Sequence, residues 1–68
     1  MKLSAGNILK GRIIDVTKGA TTAHIKIDVG GQTVTSAITN EAVEELKLAK
    51  GQTAYAIIKA SDVMIAVD

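Results

Sequence analysis

Residues 23–29 of this chain read AHIKIDV, and apolar and polar side chains alternate throughout the stretch. A period of two places Ala, Ile, Ile and Val on one face of a β-strand and His, Lys and Asp on the other. Gly30 and Gly31 follow directly, and a Gly-Gly pair between two such runs is typical of a β-hairpin turn. The stretch therefore predicts a half-buried strand that turns back into a neighbouring strand.

Upstream of this hairpin, residues 8–17 are predicted to form the first strand. Ile14 and Val16 are expected to face inward, and polar side chains break up the rest of the run. Gly11 stands inside the pattern. Because an isolated glycine within a strand often marks a bulge, we expect one at residues 9–11.

Downstream of the hairpin, residues 32–39 are predicted to form the third strand. Residues 52–60 and 62–67 are predicted to form two more strands, joined near Ser61. Between the third and fourth strands, at residues 39–48, apolar side chains recur at intervals of three and four, which predicts a short amphipathic helix. The order β-β-β-α-β-β is all-β with one short helix, and it indicates a five-stranded OB-like barrel.

The helix has two candidate N-caps, Thr39 and Asn40, since both residue types accept hydrogen bonds from the first helical amides. Glu41 follows them and favours the N-terminal end of a helix through the helix dipole. These features support a helix that begins directly after the third strand.

The size of the chain indicates self-association. Its 68 residues are 47% hydrophobic but include only one aromatic side chain and no cysteine. A chain this short buries only about 60% of its unfolded surface, so small domains commonly need disulfides, metals or oligomerisation. The last two predicted strands are apolar on both faces, and such strands need a cover on each side. We therefore expect a single domain over residues 1–68 that forms a homo-oligomer.

Charge and composition exclude several classes of function. Eight Lys and Arg against seven Asp and Glu give a net charge of +1, with no basic block for nucleic acid or a membrane surface. No apolar run resembles a signal peptide or approaches the ~20 residues of a membrane span, so a cytoplasmic protein is expected. The chain lacks a thiol, a plausible Ser-His-Asp set and a metal-binding cluster. We therefore expect no enzyme activity and no cofactor.

Three small clusters stand at the ends of strand-like runs: residues 4–7 (SAGN), 37–39 (AIT) and 59–62 (KASD). Small residues let backbone amides approach a ligand closely, hydroxyls can donate hydrogen bonds, and a lysine supplies positive charge, which together suit a compact tetrahedral anion. Judged by residue type alone, residues 4–7 are more typical of a turn than of a binding site, and Lys59 is more typical of a solvated strand end; the matched pattern around them favours the site.

The order and spacing of these clusters resemble the molbindin family, small proteins with a TOBE-like, OB-type fold that bind molybdate or tungstate. The family motif Ser-Ala-Arg-Asn-Gln-Leu-Lys-Gly stands here as residues 4–11 (SAGNILKG), and Ser-Ala-Ile-Thr stands at residues 36–39. Residues 56–65 (AIIKASDVMI) are similar to the closing strands of the family. The resemblance covers essentially the whole chain. It implies a cytoplasmic homohexamer, a trimer of dimers, that stores molybdate at its subunit interfaces.

Carried over position by position, the resemblance implies an oxyanion site. Its residues would be Ser4, Ala5, Gly6, Thr39, Lys59, Ala60 and Ser61. The hydroxyls and backbone amides would donate hydrogen bonds, and the lysine would offset part of the anion charge. No free metal cation is implied, since molybdenum would be bound as its oxyanion. Gly6 departs from the family motif, which has an arginine there, and Ala42 stands where relatives often have a serine.

Two other functions remain open for an OB-like barrel. A nucleic-acid-binding module would stack bases on aromatic side chains in a positive groove, but this chain has one Tyr, no Phe and no Trp. A non-catalytic interaction or regulatory module, like the anion-binding domains attached to transporter ATPases and transcription factors, is the other alternative.

Overall fold

The computed structural model describes Ser4 and residues 6–68. Along the chain it contains β1 (Gly6–Lys18), β2 (Thr22–Asp28), β3 (Thr33–Thr39), α1 (Asn40–Leu46), β4 (Thr53–Lys59) and a 3-10 turn (Ala60–Asp62). The strands form one antiparallel sheet in the order β3-β2-β1-β4. The predicted fold class, all-β with one short helix, is confirmed.

β2 has the two faces that its alternating sequence predicts. Ala23, Ile25 and Ile27 are buried, whereas His24 and Lys26 are exposed. The core is completed by Ile13, Val43 and Ala56. Burial of these aliphatic side chains is the main term that holds the sheet and the helix together.

β1 carries its bulge at a different place from the one that the sequence predicts. The register shifts between Ile13 and Asp15. The shift leaves Ile13 1% exposed and Ile14 38% exposed, so the expectation that Ile14 faces inward was wrong. Gly11 pairs regularly with β4 and serves another purpose. A Cβ there would lie 2.3 Å from the carbonyl oxygen of Asp28, so the backbone passes too close for any side chain.

α1 begins directly after β3, as predicted. Of the two candidate caps, Thr39 is the N-cap: its Oγ1 accepts a hydrogen bond of 3.1 Å from the amide of Ala42. The helix stops at Lys47, which adopts a left-handed conformation with φ of 52° and donates its N–H to the carbonyl of Glu44. Val43 is the buried residue of α1, and through it the helix packs against β2 and β3.

The predicted fifth strand, residues 62–67, does not form. The 3-10 turn occupies residues 60–62, and residues 63–68 follow without a ladder partner among the described residues. A strand that is apolar on both faces needs a cover on each side, and Ser4 and residues 6–68 place none there. β3 and β4 are therefore the two edges of a curled half-barrel, instead of neighbours of a fifth strand in a closed barrel.

Candidate functional site

The first and third predicted clusters lie side by side at one end of β1. Gly6 pairs with Lys59 in the β1–β4 ladder. A Cβ built on Gly6 would lie 3.3 Å from the Cβ of Ala60, so Ala60 leaves little room for a side chain at position 6. The neighbouring Asn7 fixes this arrangement, since its Nδ2 donates a hydrogen bond of 3.2 Å to the carbonyl oxygen of Ile58. Two segments from opposite parts of the sequence thus meet at one point.

The backbone conformation explains why glycine occupies position 6. Gly6 has φ of +98°, a region that residues with a Cβ rarely adopt. An arginine, as in the family motif, would have to change this conformation and also push against Ala60. The glycine allows the backbone of β1 to approach the start of the 3-10 turn.

The side chains at this end of the sheet are open to solvent. Lys59, Ala60 and Ser61 are all exposed. Within the part of the chain that the structure describes, Lys59 takes part in no ion pair, whereas Lys18 pairs with Glu44. The end of β4 therefore offers one positive charge, one hydroxyl and exposed backbone to a ligand, which are the groups that an oxyanion needs.

Two predicted positions precede β1. Ser4 is exposed. Ala5 lies outside the described residues, so the contribution of its amide stays a prediction.

Thr39 lies at the opposite end of β1 from the rest of the predicted site. It pairs with Thr22 at the start of β2, beside the C-terminal end of β1, whereas Lys59 pairs with Gly6 at the N-terminal end. The hydroxyl of Thr39 accepts the hydrogen bond from Ala42 and still has its own proton to donate. One copy of the chain thus brings positions 6 and 59–61 together and leaves Thr39 apart.

The surroundings of Thr39 include a residue whose role the sequence did not reveal. The side chain of Asn40 donates a hydrogen bond of 3.0 Å to the carbonyl oxygen of Gly19, and its backbone N–H donates one of 2.9 Å to the carbonyl of Thr21. Asn40 therefore ties the β1–β2 loop to the helix beside Thr39. The sequence gives only one signal for Asn40, its position after a strand, which is also that of a candidate cap.

The described residues include no group of three or more His, Cys, Asp or Glu side chains that could hold a metal ion. No helix among them is long and apolar enough to cross a membrane.

Comparison with known proteins identifies the family. The model of the TOBE domain matches residues 3–65, and the chain belongs to the TOBE domain family. The probable molybdenum-pterin-binding protein of Haemophilus influenzae is 46% identical over 69 residues, which cover 100% of both chains. The predicted resemblance to the molbindins is thereby confirmed.

Two solved structures share the fold. A molybdate-binding protein from Sporomusa ovata superposes with a TM-score of 0.94 at 31% identity, over 98% of this chain and 100% of that one. The cytoplasmic molybdate-binding protein ModG, with molybdate bound, superposes with a TM-score of 0.90 at 45% identity, over 94% of this chain and 46% of that one.

Proposed function

We propose that this protein binds molybdate or tungstate as the intact oxyanion, and that it stores the anion without catalysing a reaction. The observation that carries the proposal is the contact of Gly6 with Ala60 beside the exposed Lys59. The proposal is supported by the molybdate-binding proteins from Sporomusa ovata and of the ModG type, which share this fold.

The chemistry is capture by donors that are already in place. An oxyanion that leaves water needs several hydrogen bonds to replace its hydration shell, and those from charged groups are the strongest. Backbone amides near Gly6 and Ala60, the hydroxyls of Ser4 and Ser61 and the ammonium of Lys59 are the proposed donors. Ala5 would add a further amide. Because this end of the sheet presents donors instead of clustered carboxylates, it favours an anion over a metal cation.

The position of Thr39 supports a site between copies of the chain. Thr39 and Lys59 lie at opposite ends of β1, so a site that uses both has to take them from different copies. We propose a homohexamer, a trimer of dimers, in which each copy is one domain over residues 1–68. We place its action in the cytoplasm, as for ModG, with molybdenum or tungsten homeostasis as its role.

Calorimetric titration with molybdate, tungstate and sulfate tests the proposal. Lys59→Met keeps the apolar stem of the side chain and removes its charge. We expect it to weaken molybdate binding at least about tenfold, or about 1.5–3 kcal/mol, the usual contribution of a hydrogen bond to a charged group. Lys50→Met is the matched control, because Lys50 is an exposed lysine in the turn before β4. Equal affinities of wild type and Lys59→Met would place any bound anion elsewhere.

A further inference from the structure

Asn40, the first residue of α1, joins the helix to the β1–β2 loop, residues 19–21. Its side chain and its backbone N–H donate to the carbonyl oxygens of Gly19 and Thr21. The loop is a tight turn: the N–H of Gly19 donates a hydrogen bond of 2.8 Å to the carbonyl of Thr22, and a Cβ on Gly19 would lie 2.9 Å from that oxygen. The loop is thus closed on itself, and Asn40 holds it from outside.

Little else among the described residues holds this loop against α1. Residues 19–21 are all exposed, so they contribute no buried apolar contact. Lys18, just before the loop, pairs with Glu44 of the helix, but their side chains are 45% and 70% exposed, and exposed ion pairs stabilise a protein only weakly. The position of the loop relative to α1 therefore depends mainly on the two hydrogen bonds of Asn40.

The side chain of Asn40 has an acceptor that is left without a partner. Its Oδ1 is buried, and none of the described residues donates a hydrogen bond to it. The amide cannot turn round to relieve this, because its Oδ1 would then face the carbonyl oxygen of Gly19. A buried unpaired acceptor lowers stability, and such a local conflict is typical of residues kept for function.

The hydroxyl of Thr39 depends on the same junction. Thr39 and Thr22 form the terminal pair of the β2–β3 ladder, and the Oγ1 of Thr39 accepts the hydrogen bond from Ala42. The peptide that follows Thr39 is held by the bond of 2.9 Å from the N–H of Asn40 to the carbonyl of Thr21. The helix cap and the loop together therefore set the direction in which Thr39 can donate its proton.

We propose that Asn40 is a positioning residue of the oxyanion site. By fastening the β1–β2 loop to the junction of β3 and α1, it fixes the hydroxyl of Thr39 for donation to the anion. The inference rests on the proposed function, since it assigns Asn40 a role at that site. Asn40 acts through Thr39 without touching the anion, because its own Nδ2 is already bonded to Gly19. A donor that is fixed before binding loses less freedom when the anion arrives.

A fixed donor also distinguishes anions by size. Molybdate and sulfate are both tetrahedral dianions, and molybdate is the larger. A hydroxyl held at one distance from the other donors fits one of the two sizes, whereas a mobile hydroxyl follows either. We therefore expect loss of the Asn40 side chain to weaken the binding of molybdate more than the binding of sulfate.

Amide hydrogen exchange without any anion tests the fastening itself. Asn40→Ala removes the bond to Gly19 and keeps the backbone N–H. We expect exchange several-fold faster at the amides of position 40 and Ala42, and unchanged exchange at Ile13, whose N–H donates to the carbonyl of Gln52.

Gly30→Ala is the matched control for the exchange measurement. Gly30 lies in the β2–β3 turn, at the other end of β2 from Thr22, and has φ of +79° with nothing within 4 Å of a Cβ. A left-handed alanine there lowers stability generally, so exchange should rise at all three amides together. The same pattern in Asn40→Ala would overturn the inference.

Calorimetric titration with molybdate and sulfate tests the role at the site. Asn40→Ala is expected to weaken molybdate binding about three- to tenfold, the change that corresponds to one neutral hydrogen bond. The ratio of the sulfate to the molybdate dissociation constant should fall, whereas Gly30→Ala should keep that ratio. In a Thr39→Val background, which lacks the hydroxyl, Asn40→Ala should have no further effect, because residues that act through one another are not additive. Light scattering checks that the variants keep the wild-type mass.

Three outcomes separate this inference from the proposed function. Equal molybdate affinities of wild type and Asn40→Ala would overturn the inference alone. Equal losses with and without the Thr39 hydroxyl would also overturn it, since Asn40 would then act by another route. A wild-type protein that binds neither anion would overturn the proposed function, and the role of Asn40 with it.

Discussion

β2 and the C-terminal segment VMIAV, residues 63–67, here called the arm, are both short and aliphatic, yet β2 buries its apolar side chains and the arm exposes its own. Ile25 is 2% exposed and Ile65 is 86% exposed. β2 lies between β1 and β3 and contacts α1, so its own chain covers its apolar face. Within the described part of the chain, the arm has no such neighbours. The difference shows that β2 completes its core with neighbouring elements of the sheet, whereas residues 63–67 keep their apolar side chains exposed among the residues that the structure describes.

The largest expected effect on stability distinguishes a side chain in the core from one in the arm. Ile13→Ala removes a core side chain that is 1% exposed, and we expect it to lower the free energy of unfolding by about 2–5 kcal/mol. Ile65→Ala is the matched change in the arm and should destabilise only through assembly, so its effect should depend on protein concentration. Chemical denaturation at two protein concentrations measures both. A loss for Ile65→Ala that is large and independent of concentration would mean that the arm packs on its own chain.

The second prediction concerns Gly6, at the N-terminal end of β1. We expect Gly6→Arg to weaken molybdate binding instead of strengthening it, because position 6 has φ of +98° and contacts Ala60. Gly6→Ala should show the same direction with a smaller loss. Calorimetric titration measures the affinity.

Gly30→Ala is the control for Gly6. It has a similar conformation, with φ of +79°, but nothing lies within 4 Å of a Cβ there. It should lose about 1–2 kcal/mol of stability from the left-handed conformation and keep the affinity for molybdate. Tighter binding by Gly6→Arg would show that the missing guanidinium matters more than the backbone contact.

The third prediction separates two roles of Thr39, helix capping and anion binding. Thr39 lies beside the C-terminal end of β1. Thr39→Val removes the N-cap and should cost about 0.5–2 kcal/mol of stability. Thr39→Asp keeps an acceptor for the amide of Ala42 and should preserve stability, but its negative charge should weaken molybdate binding. Thermal denaturation and titration of both variants measure the two effects. Unchanged affinity in Thr39→Asp would remove Thr39 from the site.

The smallest expected effect concerns nucleic acid. Tyr55 is the one aromatic side chain of the sequence, and the net charge is +1. The chain therefore offers little for base stacking or phosphate binding. Fluorescence anisotropy with a labelled single-stranded oligonucleotide should show no binding at physiological salt. Micromolar binding that weakens steeply with salt would favour the alternative of a nucleic-acid-binding module.

The elements with local signals could be predicted from the sequence. The alternation in residues 23–29 predicted both faces of β2, and the change of period predicted α1, with Thr39 among its candidate caps. These predictions held because a side chain's face in a strand, and a cap at a helix end, depend on neighbours only a few residues away. The motif at residues 4–11 also led to the family, whose model matches residues 3–65.

Which parts of the molecule meet could not be predicted from the sequence and is seen in the folded chain. The bulge of β1 lies at residues 13–15, and Gly6 lies next to Ala60. Thr39 lies at the other end of β1, and the side chains of the arm are exposed. Each of these outcomes depends on contacts between residues far apart in sequence, and periodicity carries no information about such contacts. The apolar arm shows this most clearly: its composition indicates burial, but in the structure Met64, Ile65 and Val67 are exposed among the described residues.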